Sequence, residues 1–201
     1  TQGGLDPTVM VGGEVPEFGS TLRLGRSDLL VVEADEYDAT FLQLQPQIAV
    51  VTNIEPEHLD FYGTFEKAVE TFGRFLSSVP AHGHVVACLD DPVLQGLQSA
   101  EVLAVYPKLT PNGAPGAALT PSVLHTSSLV TYGYHPAAEW RADQVEPNGK
   151  GGLTFTALHH DAEAGRFALS VPGRHNVSNT LAALATCDLL GVDITTLTPA
   201  L

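Results

Sequence analysis

The sequence predicts an α/β fold: a mostly parallel central sheet flanked by helices, with a small antiparallel β annex. Three observations carry this expectation. Three short apolar runs, Leu29 to Val32, Ile48 to Val51 and Val85 to Leu89, have the length and β-branched content of buried strands. Between the second and third, Phe65, Ala68, Val69, Phe72, Phe75, Leu76 and Val79 recur at helical spacing, and strand, helix, strand is a βαβ unit. Later strand-like pieces are joined by the Gly- and Pro-rich stretch Pro147 to Gly152, which reads as a hairpin turn.

Taken in order, the first run reads as a buried strand ending in Glu33-Ala34-Asp35-Glu36-Tyr37-Asp38, and the second ends in Thr52 to Asp60. The helix that follows is expected over Thr64 to Val79, with Thr64 as N-cap and Pro80 at its exit. After the third run, Asp91 followed by Pro92 predicts another helix start, because Asp caps well and Pro is tolerated at the first helical position. Tyr106 to Ser128 carries repeated Pro and Gly and is expected to be a loop. Leu129–Tyr134, Trp140–Val145, Leu153–Leu158 and Phe167–Val171 read as the antiparallel annex, and Asn179 to Leu190 as an apolar helix closed by Gly191.

Composition narrows the functional classes. A chain of 201 residues, 44% hydrophobic, is expected to form one domain with one core. No apolar run reaches the roughly 20 residues a membrane helix needs, and Thr1 to Thr8 lacks a signal peptide's charged start and apolar stretch, so a cytoplasmic protein without membrane insertion is expected. Cys88 and Cys187 both lie in apolar runs, as free reduced thiols do. Twenty-three acidic residues against nine Lys plus Arg give a net charge of −14, which argues against a nucleic-acid partner. Eight of the acids fall between Asp28 and Asp60 with no Lys or Arg among them. Because apolar runs interrupt this block, the acids sit at strand ends, and a cation is the partner such an arrangement calls for.

Ligands of open α/β sheets bind beyond the carboxyl ends of the strands, so those ends hold the candidates. Glu33 and His58 follow adjacent runs and offer a hard oxygen and an imidazole to one divalent metal. Asp90 and Asp91 are better read as caps and surface acids. Pro172 to Asn179 enters the last helix, and there Asn176 and Asn179, three apart, lie on one helical face where amides can meet an adenine edge. Asn also caps helices well, and composition alone favours capping; His175 is equally a loop residue or a ligand contact.

In their order, the segments Glu33 to Asp38, Val51 to Asp60, Asp90-Asp91-Pro92 and Gly173 to Asn179 resemble the central domain of the Mur ligase family, in its alanine-adding branch. The resemblance spans nearly the whole chain. It implies Glu33 and His58 as catalytic ligands of magnesium (Mg2+), Asn176 and Asn179 as holders of the adenine of ATP, and His175 against the nucleotide. It also implies an ATP-dependent ligase of peptidoglycan biosynthesis that forms an amide between UDP-N-acetylmuramate and L-alanine through an acyl phosphate. A recycling ligase adding a murein peptide to the same sugar nucleotide is the alternative within the family, and a metal-dependent hydrolase built on Glu33, His58 and Asp60, or a nucleotide-binding module without catalysis, the alternatives outside it.

There are departures. The phosphate-binding pattern G-x-x-x-x-G-K-[ST] does not occur: Gly149-Lys150 is followed by Gly151. Residues 1–201 are therefore expected to be the central domain without that loop and without the flanking UDP-binding and amino-acid-binding domains, and alone not to turn over ATP. Gly73 stands where sister ligases carry a carbamylated lysine, which fits the alanine-adding branch.

Overall fold

The computed structural model describes residues 3–96 and 128–200. Two sheets organise them. The smaller has β1 (Thr8–Val15) at its centre, β2 (Ser20–Arg23) antiparallel on one side and β3 (Leu30–Val32) parallel on the other. Its entry is held by Asp6, whose carboxylate takes Arg23 at 2.5 Å and Arg26 at 3.1 Å. Gly25 is required there, because a Cβ would lie 2.1 Å from the Asp6 carbonyl oxygen.

The run Leu29 to Val32, expected as a buried strand of the central sheet, is this outlying β3, with Leu30 62% and Val31 50% exposed. Apolar, β-branched character reports strand preference, and does not say which sheet a strand joins or whether both its faces are covered.

The larger sheet runs β4-β5-β6-β7-β8-β9. β4 (Ile48–Val51) and β5 (His84–Cys88) are parallel and connected through α1 (Leu59–Tyr62) and α2 (Phe65–Ser77), the expected βαβ unit. Thr64 caps α2, its hydroxyl accepting from the Lys67 N–H, and Ala68, Phe75 and Leu76 bury the inner face. β5 is buried from Val85 to Cys88, which requires cover on both faces of the sheet. A short α3 (Pro92–Gly96) follows, as Asp91-Pro92 suggested.

β6 (Ser128–Gly133) pairs parallel with β5 along five residues, and β7 (Trp140–Pro147) pairs parallel with the end of β6. β8 (Leu153–His159) and β9 (Ala162–Ala168) then add antiparallel. The antiparallel part thus continues the parallel sheet, and its first expected member, β6, belongs to the parallel half. β9 lies earlier than the expected Phe167–Val171, because His160 and Asp161 make a two-residue turn with φ 48° and 63° and the chain re-enters the sheet at once.

The last helix, α4 (Arg174–Leu189), begins five residues before the apolar run that revealed it, since its first turn is polar, and it ends at Gly191 with φ 73°. It crosses β4 to β8. Val177, Leu181 and Ala185 are fully buried there, in one core with Trp140, Tyr132, Phe155 and Phe167. The expected loop over Tyr106–Ser128 lies, up to residue 127, outside the described residues. Among the described residues no helix is long and apolar enough to cross a membrane.

Candidate functional site

The parallel strands β4, β5 and β6 end at Val51, Cys88 and Gly133 on one edge of the sheet, and the acids that follow them divide into two kinds. Asp90 and Asp91 are tied to backbone. The Asp91 carboxylate accepts from Val93 and Leu94 at 2.8 Å each, capping α3, and from the Ile54 N–H at 3.2 Å, which fastens the loop after β4. Asp90 accepts from the N–H groups of Tyr134 (2.8 and 2.9 Å) and His135 (2.8 Å), fastening the loop after β6. Gly133 has φ 142°, and a Cβ there would meet the Asp90 carboxylate at 2.7 Å. Both aspartates therefore build the edge, as their reading as caps implied.

Glu36, Glu57 and His58 are gathered. Each offers a ligand atom, and the three atoms lie within 4.8 Å of one another. His58 has φ 54° at the start of α1, where its carbonyl accepts from the N–H groups of Phe61 and Tyr62, both at 3.0 Å. That backbone bend delivers the ring to Glu36, with Nε2 3.3 Å from Oε1, and Tyr37 packs edge-on against the imidazole at 5.1 Å. The Tyr62 hydroxyl donates to the Glu36 carbonyl, and burial, then the charges of Glu36, Asp38 and Asp35, push the Tyr62 phenol above its usual pKa. The cluster stands on a cavity of about 250 Å³ whose apolar lining includes Phe41, Val51, Phe72 and Phe75.

Glu33 is elsewhere in this arrangement. It follows β3, its N–H donating to the Met10 carbonyl at 2.9 Å, and its Oε2 accepts from the Gly12 N–H at 2.7 Å. The acids the structure brings to His58 are Glu36 and Glu57, to which the sequence assigns no role.

At the head of α4, Asn176 donates from Nδ2 to the Pro172 carbonyl at 2.6 Å, and its N–H donates to the Gly173 carbonyl at 3.1 Å. No side chain caps the helix: Gly173 stands at the cap with φ 104°. The capping reading of the two asparagines is thus not what their geometry serves. Asn179 and His175 are exposed and Asn176 partly so. Arg174 lies 3.8 Å over the Tyr134 ring, while the Tyr134 hydroxyl donates to the Arg174 carbonyl at 3.0 Å. Ser178 Oγ is 3.6 Å from Cys88 Sγ. The helix head therefore adjoins the ends of β5 and β6, at the sheet edge where β4 presents His58.

The chain resembles known proteins in sequence and in fold. The family model of the Mur ligase middle domain matches residues 13–110 and 117–187. A UDP-N-acetylmuramate--L-alanine ligase of Anaeromyxobacter sp. is 42% identical over 189 residues, covering 94% of this chain and 36% of that protein. The chain thus spans about a third of the length of the curated relatives it matches. The crystal structure of the UDP-N-acetylmuramate:L-alanyl-gamma-D-glutamyl-meso-diaminopimelate ligase from Neisseria superposes with TM-score 0.76 at 27% identity, over all of this chain and 58% of that one. The UDP-N-acetylmuramate-alanine ligase of Thermotoga maritima gives TM-score 0.70 over 98% of this chain and 38% of that one, and at 21% identity speaks for the fold.

Proposed function

The chain belongs to the Mur ligase middle-domain family, and on that premise we propose that it is the nucleotide- and magnesium-handling part of an ATP-dependent ligase joining L-alanine to UDP-N-acetylmuramate. The observation that carries the reading is the convergence of Glu36, Glu57 and His58 above a cavity, at the sheet edge that also receives the head of α4.

The donor set fits magnesium: carboxylate oxygens suit a hard cation, and one imidazole is tolerated beside them. His58 with Glu36 or Glu57 would hold one ion, and Glu33, whose Oε2 is engaged by Gly12, would offer its other oxygen to a second magnesium, the role the family resemblance implies. Bound there, magnesium supplies neutralisation of the charge on transferring phosphoryl oxygens. This chain's residues do the positioning. Asn176 and Asn179 would hold the adenine by donor and acceptor, with His175 against the nucleotide. The bend at His58, with Glu36 and the edge of Tyr37 against the ring, orients the imidazole and lowers the ordering required when the nucleotide arrives. The reaction is transfer of the γ-phosphoryl group to the lactyl carboxylate, giving an acyl phosphate and ADP; the amine of L-alanine then attacks the acyl carbon, and phosphate leaves.

The likeness to the Neisseria ligase favours the recycling reaction as the second reading, and the identity to alanine ligases favours the first. A polypeptide carrying this chain and long enough to span a whole relative separates them. ADP release that requires both UDP-N-acetylmuramate and L-alanine supports the proposal; release driven by a murein peptide instead supports the recycling enzyme. In the same assay Asn176→Ala should raise the Michaelis constant for ATP by about five- to a hundredfold, the effect of losing about 1 to 3 kcal/mol of hydrogen bonding, and leave that for the sugar nucleotide nearly unchanged. An equal rise for both substrates would reject the adenine role.

A further inference from the structure

A second convergence of ligand-bearing side chains lies away from the cleft. Glu139, just before β7, meets His159 at the end of β8 and His160 in the turn to β9. Both imidazoles aim Nε2 at the same carboxylate oxygen: His159 Nε2 is 3.2 Å and His160 Nε2 3.4 Å from Glu139 Oε1, and the three ligand atoms lie within 4.8 Å of one another. In the strand order β4-β5-β6-β7-β8, four spacings of about 4.8 Å put the end of β8 roughly 19 Å across the sheet from β4.

We propose that Glu139, His159 and His160 form a site for a divalent transition-metal ion, with zinc as its chemical type. Tetrahedral zinc with bonds of about 2.0 to 2.1 Å to nitrogen and oxygen has neighbouring ligands about 3.3 to 3.4 Å apart. The two imidazole-to-carboxylate separations, 3.2 and 3.4 Å, are close to that length, and the His159 contact is a hydrogen bond that the ion would replace. Two imidazoles and one carboxylate suit zinc, nickel or copper better than magnesium, which takes oxygen. With the His160 side chain 70% exposed, the fourth position opens to water.

Trp140 stacks on the His159 ring at 4.4 Å and 12° and holds that ligand, while the exposed His160 ring, stacked on His159 at 4.4 Å and 27°, would turn out of the stack to bring its Nε2 to the ion. The His160 N–H donates to the Glu139 carbonyl at 3.0 Å, and the Glu139 N–H donates to Thr131 Oγ1 at 3.1 Å. Arg141, next to Trp140 in sequence, is paired with Asp161 at 2.6 Å, which offsets its charge. An ordinary His–Glu ion pair at a surface contributes at most about 1 kcal/mol and calls for one imidazole. A metal accounts for two, and would pin the β8–β9 turn to the start of β7.

Trp140, the chain's one tryptophan, is a built-in reporter. Zinc should bind saturably by calorimetry, and nickel or copper should quench Trp140 fluorescence. His160→Asn suits the test, since Asn tolerates the left-handed backbone at φ 48° and the position is exposed. His160→Asn and Glu139→Gln should each weaken zinc by at least ~10-fold, the least that loss of a direct ligand is expected to cost, and remove the quenching. His58→Ala, which disables the cleft cluster, should leave the quenching of Trp140 intact. No saturable zinc binding by the unaltered chain, or quenching that survives His160→Asn and Glu139→Gln but is lost in His58→Ala, would overturn the proposal.

Discussion

Asp91 offers the sharpest test of how the edge beneath the cleft is built. Asp91→Ala removes the acceptor for the Val93 and Leu94 N–H groups, a helix cap whose loss typically costs about 1 kcal/mol. It also removes the acceptor of the Ile54 N–H. Bonds to a charged group contribute about 1.5 to 3 kcal/mol, and at 3.2 Å and partial burial the lower end applies. The sum is about 2.5 kcal/mol, and Ile54 and Leu94, both buried, leave little room for water to replace what is lost. For a chain of this size that shifts the midpoint of thermal unfolding by roughly 5 to 10 °C. Urea titration of the unaltered chain, Asp91→Ala and Asp91→Asn gives the comparison. Asn keeps one oxygen acceptor and should recover the cap without the charge, falling between the other two. A loss below about 0.5 kcal/mol for Asp91→Ala, the range of an ordinary surface change, would refute the anchoring role.

Three further outcomes follow from the structure. The Arg23 guanidinium, helped by Arg26, holds the Asp6 carboxyl down at about 2 from an ordinary 3.8. A folded value below the unfolded one contributes stability that is present above pH 3.8 and lost as pH falls through 2, so the difference between the chain and Asp6→Asn should be full near neutrality and shrink across that window in urea titrations; a difference that grows on acidification would contradict it. Gly173→Ala should cost about 1 to 2 kcal/mol, because φ 104° is unfavourable to a side chain and the new Cβ would meet the His175 ring at 2.5 Å, and an unchanged urea midpoint would show that the helix start relaxes freely. Leu181→Ala, fully buried where α4 crosses the sheet, should cost about 2 to 5 kcal/mol by the same measurement, and a cost below about 1 would mean that α4 is not part of the core.

The βαβ unit was legible because its signals are local: a β-branched run, seven apolar residues at helical spacing, a Thr cap and an exit proline. Asp91-Pro92 was legible for the same reason. The hairpin of β1 and β2 was not, since Gly12 and Gly13 interrupt the strand pattern and Pro16 to Gly19 looks like open loop. The placement of β3 was hidden by a different limit, because partner choice is made by β1, a strand the pattern does not reveal. At the site, His58 stood out as an imidazole amid acids, whereas Glu36 and Glu57 could not be told from Glu33 and Asp35 by residue type. What sorts them is backbone direction: the bend at His58 and the turn through Ala39, φ 61°, decide which carboxylate reaches the ring.

That sorting has an electrostatic consequence for a chain of net charge −14. Asp90 and Asp91 are surrounded by backbone N–H groups, whose dipoles offset a carboxylate without any cation. Glu33 has the same relief at one oxygen, from Gly12, and keeps a second oxygen with which it can still ligate. Glu36 and Glu57 are gathered with His58 instead, two carboxylates with oxygens within 4.8 Å of each other, an arrangement that a cation relieves. With magnesium bound as proposed, a hard divalent ion at the end of β4 would stabilise the fold as well as the chemistry. Its binding would draw together the turn after β3 and the loop after β4, two segments that belong to different sheets and are joined here through His58 and Glu36 and through the Tyr62 hydroxyl.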